Sequence, residues 1–121
     1  MSNESYLTQY HYVYRITNVI LKKHYYGKRT SKILPELDLG VKYFSSSSDK
    51  HFRQDQKNNP QNYRYKVIRL FKTSKNAMDF EIRLHNKFNV DSNENFYNKV
   101  KQSSSCIDTT NKVNVKDVNG N

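Results

Sequence analysis

The stretch that decides the fold is His11-Tyr12-Val13-Tyr14-Arg15-Ile16-Thr17, followed after Asn18-Val19-Ile20-Leu21-Lys22-Lys23 by His24-Tyr25-Tyr26-Gly27. In the first run Tyr12, Tyr14 and Ile16 fall on one face of an extended chain and Val13, Arg15 and Thr17 on the other, the period-two pattern of a strand. The second run is short and aromatic, and the brief connection predicts an antiparallel hairpin. That turn contains no glycine, which leaves its geometry open.

Outward from the hairpin, residues 28–44 are mixed, with Pro35 and Gly40 interrupting any long element. Ser45-Ser46-Ser47-Ser48 form a polar run that can cap a helix beginning near Asp49 and ending before Asn58-Asn59-Pro60. Residues 63–71, YRYKVIRLF, are rich in aromatic and β-branched side chains and read as a third strand. Ser74 can cap a helix from about Lys75 to Phe88, along which Ala77, Phe80, Leu84 and Phe88 recur at helical spacing. The expected fold is α/β of the α+β kind, a small three-stranded antiparallel sheet flanked by helices.

The chain has 121 residues, enough for one domain and too few for two independent cores. Apolar residues are 35%, and ten Tyr and six Phe supply much of that share, so the core is small and aromatic. The formal charge is +10, and all of it lies in residues 1–101. Residues 102–121 balance Lys112 and Lys116 against Asp108 and Asp117. Such a charge points to a polyanion, with nucleic acid the leading partner. Residues 1–101 are expected to form the functional domain and 102–121 a polar, poorly ordered linker. That linker ends in a strand-like KVNVKDV before Asn119-Gly120, as if starting a further module. Cys106 is the single cysteine, which excludes an internal disulfide and a multi-cysteine zinc site. No bilayer-length apolar run and no signal-peptide core are present, so a cytoplasmic protein without membrane attachment is expected.

One carboxylate falls in an unexpected place. At about 100° per residue from Ala77, Leu84 lies near −20°, Phe88 near +20° and Glu81 near +40°, inside the apolar stripe. A Glu there either snorkels to water at the edge of the stripe, pairs with a cation or binds metal. His85, four residues on, could reach the same side, although its structural reading is favoured. No other acid lies within a helical turn on that face, which favours one metal over two.

With those residues in place, the hairpin resembles the paired motif of the GIY-YIG nuclease superfamily. Tyr12-Val13-Tyr14 stands for the first tripeptide and Tyr25-Tyr26-Gly27 for the second, with Arg15-Ile16-Thr17-Asn18 continuing the first. Glu81 lies on a later helix and Asn98 follows in Asn95-Phe96-Tyr97-Asn98. The resemblance covers about residues 10–101. The stretch Tyr43-Phe44-Ser45-Ser46-Ser47 and residues 112–121 are most similar to free-standing phage homing-type endonucleases of this superfamily. Tyr12 replaces the first glycine and Tyr26 the central isoleucine. The family's arginine has no unambiguous match. Its role falls to Arg29, Lys28 or Arg53, with Arg29 favoured.

The resemblance implies metal-dependent hydrolysis of phosphodiester bonds in double-stranded DNA, by nicking or double-strand cleavage. Tyr14 would take the proton of the attacking water with help from Tyr25, which requires the site to lower a phenol pKa from near 10. Glu81 would hold one divalent ion, Mg2+ or Mn2+. Arg29 would bind a phosphoryl oxygen, and Gly27 would let the substrate backbone approach. Asn98 would tie the last segment to the site. Lys28, His51 and Arg53 are candidate DNA contacts, His51 being also a plain solvent-facing helix residue. Other lysines give affinity without sequence choice. The alternative is a non-catalytic basic module whose aromatic sheet face stacks nucleic acid.

Overall fold

The computed structural model describes residues 9–102, so residues 103–121, where most of the expected linker falls, lie outside the described residues. Three nine-residue strands, β1 (Tyr10–Asn18), β2 (Lys23–Ser31) and β3 (Tyr63–Phe71), form one antiparallel sheet in the order β2-β1-β3. Between β2 and β3 lie a short helix α1 (Pro35–Asp38), helix α2 (Lys50–Asn58) and a 3-10 turn (Pro60–Asn62). Helix α3 (Ser74–Phe88) follows β3. The protein is thus a small α+β fold, and no helix among the described residues is long and apolar enough to cross a membrane.

The hairpin solves its missing glycine locally. The Asn18 side chain accepts hydrogen bonds from the backbone N–H groups of Ile20 (2.9 Å) and Leu21 (3.0 Å), and Lys22 takes the left-handed conformation at φ 57°. β1 is central and covered on both faces, so Tyr12, Val13, Tyr14 and Ile16 are all fully buried. Its pairing with β3 shifts between Val13 and Tyr14, which face Arg69 and Val67 and leave Ile68 as the extra residue of a bulge.

Asp49 itself caps α2, accepting from the N–H groups of His51 (3.0 Å) and Phe52 (3.2 Å), in place of the serine run before it. Thr73 rather than Ser74 caps α3, through a 3.0 Å bond from the Asn76 N–H. Both caps sit one residue outside the first helical residue, in extended backbone, where a side-chain oxygen can reach back to the free N–H groups. On one face of the sheet Tyr12, Tyr14 and Ile16 pack with Leu39, Phe52 and Tyr63. On the other, α3 buries Ala77, Glu81 and His85. So aromatic a core must satisfy its hydroxyls. Tyr12 donates to Asp38 (2.7 Å), Tyr63 to Asp55 (2.6 Å) and Tyr65 to Gln56 (2.7 Å).

Asp38 accepts from both Tyr12 and Arg29 and is almost wholly buried. Burial pushes its carboxyl up, but the Arg29 and Tyr12 hydrogen bonds prevail and hold it below the ordinary value of 3.8. A carboxyl lowered by folding stabilises the fold above its unfolded pKa and loses that contribution as pH falls through the folded one. Asp38→Ala should therefore cost about 2–3 kcal/mol in urea unfolding at pH 7. The gap to wild type should narrow once the pH drops below 3.8. A gap independent of pH would show that the carboxylate charge contributes nothing.

Candidate functional site

Two rows of side chains meet along the outer side of β2. From the sheet come Tyr25 and Gly27, on the face that also carries Tyr14, whose cross-strand partner is Gly27. From α3 come Glu81 and His85, one helical turn apart and both buried. An open cleft of ≈ 390 Å³ lies between these rows, the serine run at 46–48 and residues 98–102.

Glu81 is 6% exposed, so it does not snorkel to water. Its Oε1 accepts from the Gln102 side chain at 3.4 Å and its Oε2 lies 3.6 Å from His85 Nε2. Burial raises its pKa above the ordinary carboxylate value, opposed by the Gln102 hydrogen bond and the Lys28 charge. His85 Nδ1 accepts the backbone N–H of Gln102 (2.8 Å), which places the ring proton on Nε2, 3.1 Å from the Tyr26 carbonyl. With both nitrogens engaged and its pKa lowered by burial, His85 is a neutral brace between α3 and β2. Gln102, which the charge balance assigned to the tail, is packed onto the domain through these contacts.

Asn98 is buried and spends its amide on one residue of β2. Its Oδ1 accepts from the Tyr26 N–H (3.1 Å) and its Nδ2 donates to the Tyr26 carbonyl (2.9 Å). The side chain takes the place a neighbouring strand would hold on this edge.

Tyr14 is fully buried and stands behind the cleft. A Cβ built on Gly27 would touch the Tyr14 hydroxyl and sit 2.5 Å from its Cζ. Gly27 therefore makes room for the protein's own tyrosine, where the sequence reading expected room for a substrate backbone. The Tyr14 hydroxyl lies 3.0 Å from that of Tyr43, which bonds in turn to Ser46 Oγ on the cleft wall. Burial pushes the Tyr14 phenol well above 10, reinforced by Tyr43 and Tyr25, and burial likewise raises Tyr25 and Tyr43. These side chains alone thus hold all three phenols neutral, opposite to the lowering expected of a general base.

Of the three candidate cations, Lys28 lines the cleft, with its Nζ 3.2 Å from Ser74 Oγ. Arg29 turns instead to Asp38 (3.0 Å) and lies 4.3 Å over the Tyr43 ring. Arg53 and His51 are exposed on α2 and do not line the cleft. Asp38, Tyr43, Ser46 and Gln102 had no assigned role in the sequence. Only the stretch around Tyr43 carried a signal, through its likeness to the homing-type enzymes. Comparison with family models, curated proteins and solved structures finds no match to this chain.

Proposed function

We propose that this chain is a DNA endonuclease of the GIY-YIG type, hydrolysing phosphodiester bonds with one divalent cation, Mg2+ or Mn2+, in the cleft along β2. The observation that carries the reading is the convergence of Tyr25, Gly27, Glu81 and Asn98 on one polar cleft, with Tyr14 packed against Gly27 behind it. The alternative of a stacking module on the β1 aromatic face is disfavoured by burial, because Tyr12 and Tyr14 are fully buried and pack with Leu39 and Phe52.

The donor set fits a hard cation. Among the described residues no group of three or more His, Cys, Asp and Glu side chains could hold a metal by itself. Magnesium, however, keeps several waters and takes one or two carboxylates together with substrate phosphate. Glu81, buried yet on the wall of an open cleft, is such a carboxylate. When bound, the ion neutralises charge on the phosphoryl and leaving oxygens. Lys28, with Lys99 and Lys101 on the same cleft, attracts the phosphate backbone. Tyr25 is the phenol that lines the cleft, with Tyr14 linked to the cleft wall through Tyr43 and Ser46. A cation held by Glu81 would supply the positive charge needed to ionise one of these phenols, whose phenolate would then take the proton of the attacking water. His85 and Asn98 hold β2, and with it Tyr25, in place by their bonds to the Tyr26 backbone.

The full chain should convert supercoiled plasmid to open-circle or linear form with Mg2+ or Mn2+ and stop when EDTA is added. Tyr14→Phe and Tyr25→Phe should each slow this by roughly a hundredfold or more, the scale of a lost proton-transfer group, without loss of DNA binding. Plasmid left intact by wild type with either metal would refute the reading.

A further inference from the structure

A second pocket, of ≈ 460 Å³, opens on the α3 side of the sheet, the face opposite Tyr25 and Gly27, and shares no residue with the Glu81 cleft. The register that pairs Tyr14 with Gly27 also pairs Arg15 with Tyr26 and Thr17 with His24, so these four side chains lie together on that other face. Phe88 at the end of α3 and Phe96 in the following loop close it. The walls are fixed by backbone bonds, from the His24 N–H to the Asn95 carbonyl (2.8 Å) and from the Tyr97 N–H to the His24 carbonyl (2.7 Å).

Three properties of this pocket point the same way. Its floor is aromatic: the Tyr26, Phe88 and Phe96 rings lie 5.6–5.7 Å apart, centroid to centroid, with interplanar angles of 28–33°. Its polar lining includes Arg15, Lys22 and His24 and no carboxylate. Arg15 is wedged there with its Nε buried and without a hydrogen-bond partner, and it takes part in none of the ion pairs among the described residues. A buried guanidinium N–H that no protein acceptor satisfies is unusual, because an unmade bond to a buried donor costs free energy. Lys22, at the mouth, keeps a left-handed backbone that Gly or Asn would adopt more easily. The charge that Arg15 brings to the pocket wall is unpaired within the described residues, so an anion arriving from outside can meet it there, and the apolar rings beside it suit a planar ring.

We propose that this pocket binds a nucleoside phosphate, the base against the Tyr26–Phe88–Phe96 rings and the phosphate between Arg15 and Lys22. The volume is within the usual range of small-ligand sites, roughly 300–1,000 Å³. Arginine forks bind phosphate in two-bonded fashion, and bases stack on aromatic side chains whatever their sequence. The same chemistry is offered by a free nucleotide and by the phosphorylated end of a DNA strand. The site does not depend on the cleavage reading, since none of its lining residues lines the Glu81 cleft.

The test is a titration of the full chain, labelled with nitrogen-15 and held in EDTA, followed by backbone amide shifts. Adenosine 5′-monophosphate should give saturable shifts at Arg15, His24, Tyr26 and Phe96 rather than at Gly27, Lys28 and Glu81. Adenosine and inorganic phosphate, each carrying half of the ligand, should bind roughly tenfold more weakly or worse. Arg15→Met should weaken the nucleotide by roughly tenfold or more. Lys22→Asn, which suits the left-handed turn and removes the charge together with the long stem of an exposed side chain, should weaken it by a smaller factor and keeps the test sound if Arg15→Met fails to fold. A 5′-phosphorylated tetranucleotide binding tighter than the mononucleotide assigns the site to a strand end, and the reverse order assigns it to a free nucleotide. Absence of saturable shifts at these amides with both ligands at millimolar concentration overturns the proposal. So does unchanged affinity in Lys22→Asn together with a folded Arg15→Met.

Discussion

Glu81→Gln is expected to suppress plasmid cleavage by roughly two orders of magnitude or more, the lower scale for removing an electrostatic stabiliser, while the protein becomes more stable. The two effects have one cause. Glu81 is 6% exposed, and burial disfavours its charged form more than Gln102 and Lys28 favour it. Glutamine keeps the size and can still meet the Gln102 amide, but it carries no charge to bury and none to hold a cation. DNA binding should persist or tighten, because a negative charge has left a cleft that meets phosphate. Glu81 has a folded pKa above its unfolded one, so the native state binds more protons between the two values and stability falls as pH rises through them. The advantage of Glu81→Gln in melting temperature should accordingly be absent well below 4.5 and grow above it. Loss of both cleavage and stability would make Glu81 a structural residue. Full cleavage with a raised melting temperature would remove it from the chemistry.

What the sequence made legible was set by local pattern. β3 occupies residues 63–71 because aromatic and β-branched residues fill that run between two breaks, and α2 runs from Lys50 to Asn58, one residue into the expected Asn58-Asn59-Pro60 stop and capped by Asp49 in place of the expected serine run. β2 runs on to Ser31 through Lys28, Arg29 and Thr30, whose polarity hides a strand that β1 holds in register residue by residue. Helix α1 was lost for the same kind of reason, being one turn between Pro35 and Gly40. Along α3 the periodicity singled out Glu81 correctly but not the axis of burial. The fully buried row is Ala77, Glu81, His85, an i, i+4 ridge, while Phe80, Leu84 and Phe88 beside it are half-buried. Interactions between distant stretches had no local signature. Asp38 meets Tyr12 across 26 positions and Tyr43 meets Tyr14 across 29, and the resulting ion pair draws Arg29 away from the cleft for which its position had recommended it.

Gly27→Ala should destabilise the protein by about 1–3 kcal/mol, the scale of overpacking a core, and reduce cleavage as a consequence. The sign is decided by two opposed effects. Gly27 is not among the residues at positive φ, so alanine fits the backbone and by itself should stabilise by about 0.4–1 kcal/mol through the unfolded chain. Against this, the new methyl would touch the Tyr14 hydroxyl and lie 2.5 Å from Cζ and 3.0 Å from Cε2. The ring cannot swing aside easily, being enclosed by Tyr12, Tyr25 and Tyr43 at centroid distances of 6.1, 6.2 and 5.6 Å. The clash therefore outweighs the backbone gain. Tyr14→Phe should not rescue Gly27→Ala, because removing the hydroxyl leaves the Cζ and Cε2 contacts in place. Tyr14→Leu removes the far end of the ring at about 2–4 kcal/mol of its own, and in that background Gly27→Ala should be nearly neutral, a coupling that a double-mutant cycle in urea measures. A different result separates the two roles of this glycine. If Gly27→Ala leaves stability unchanged while cleavage falls, the space above residue 27 serves the substrate backbone and not Tyr14.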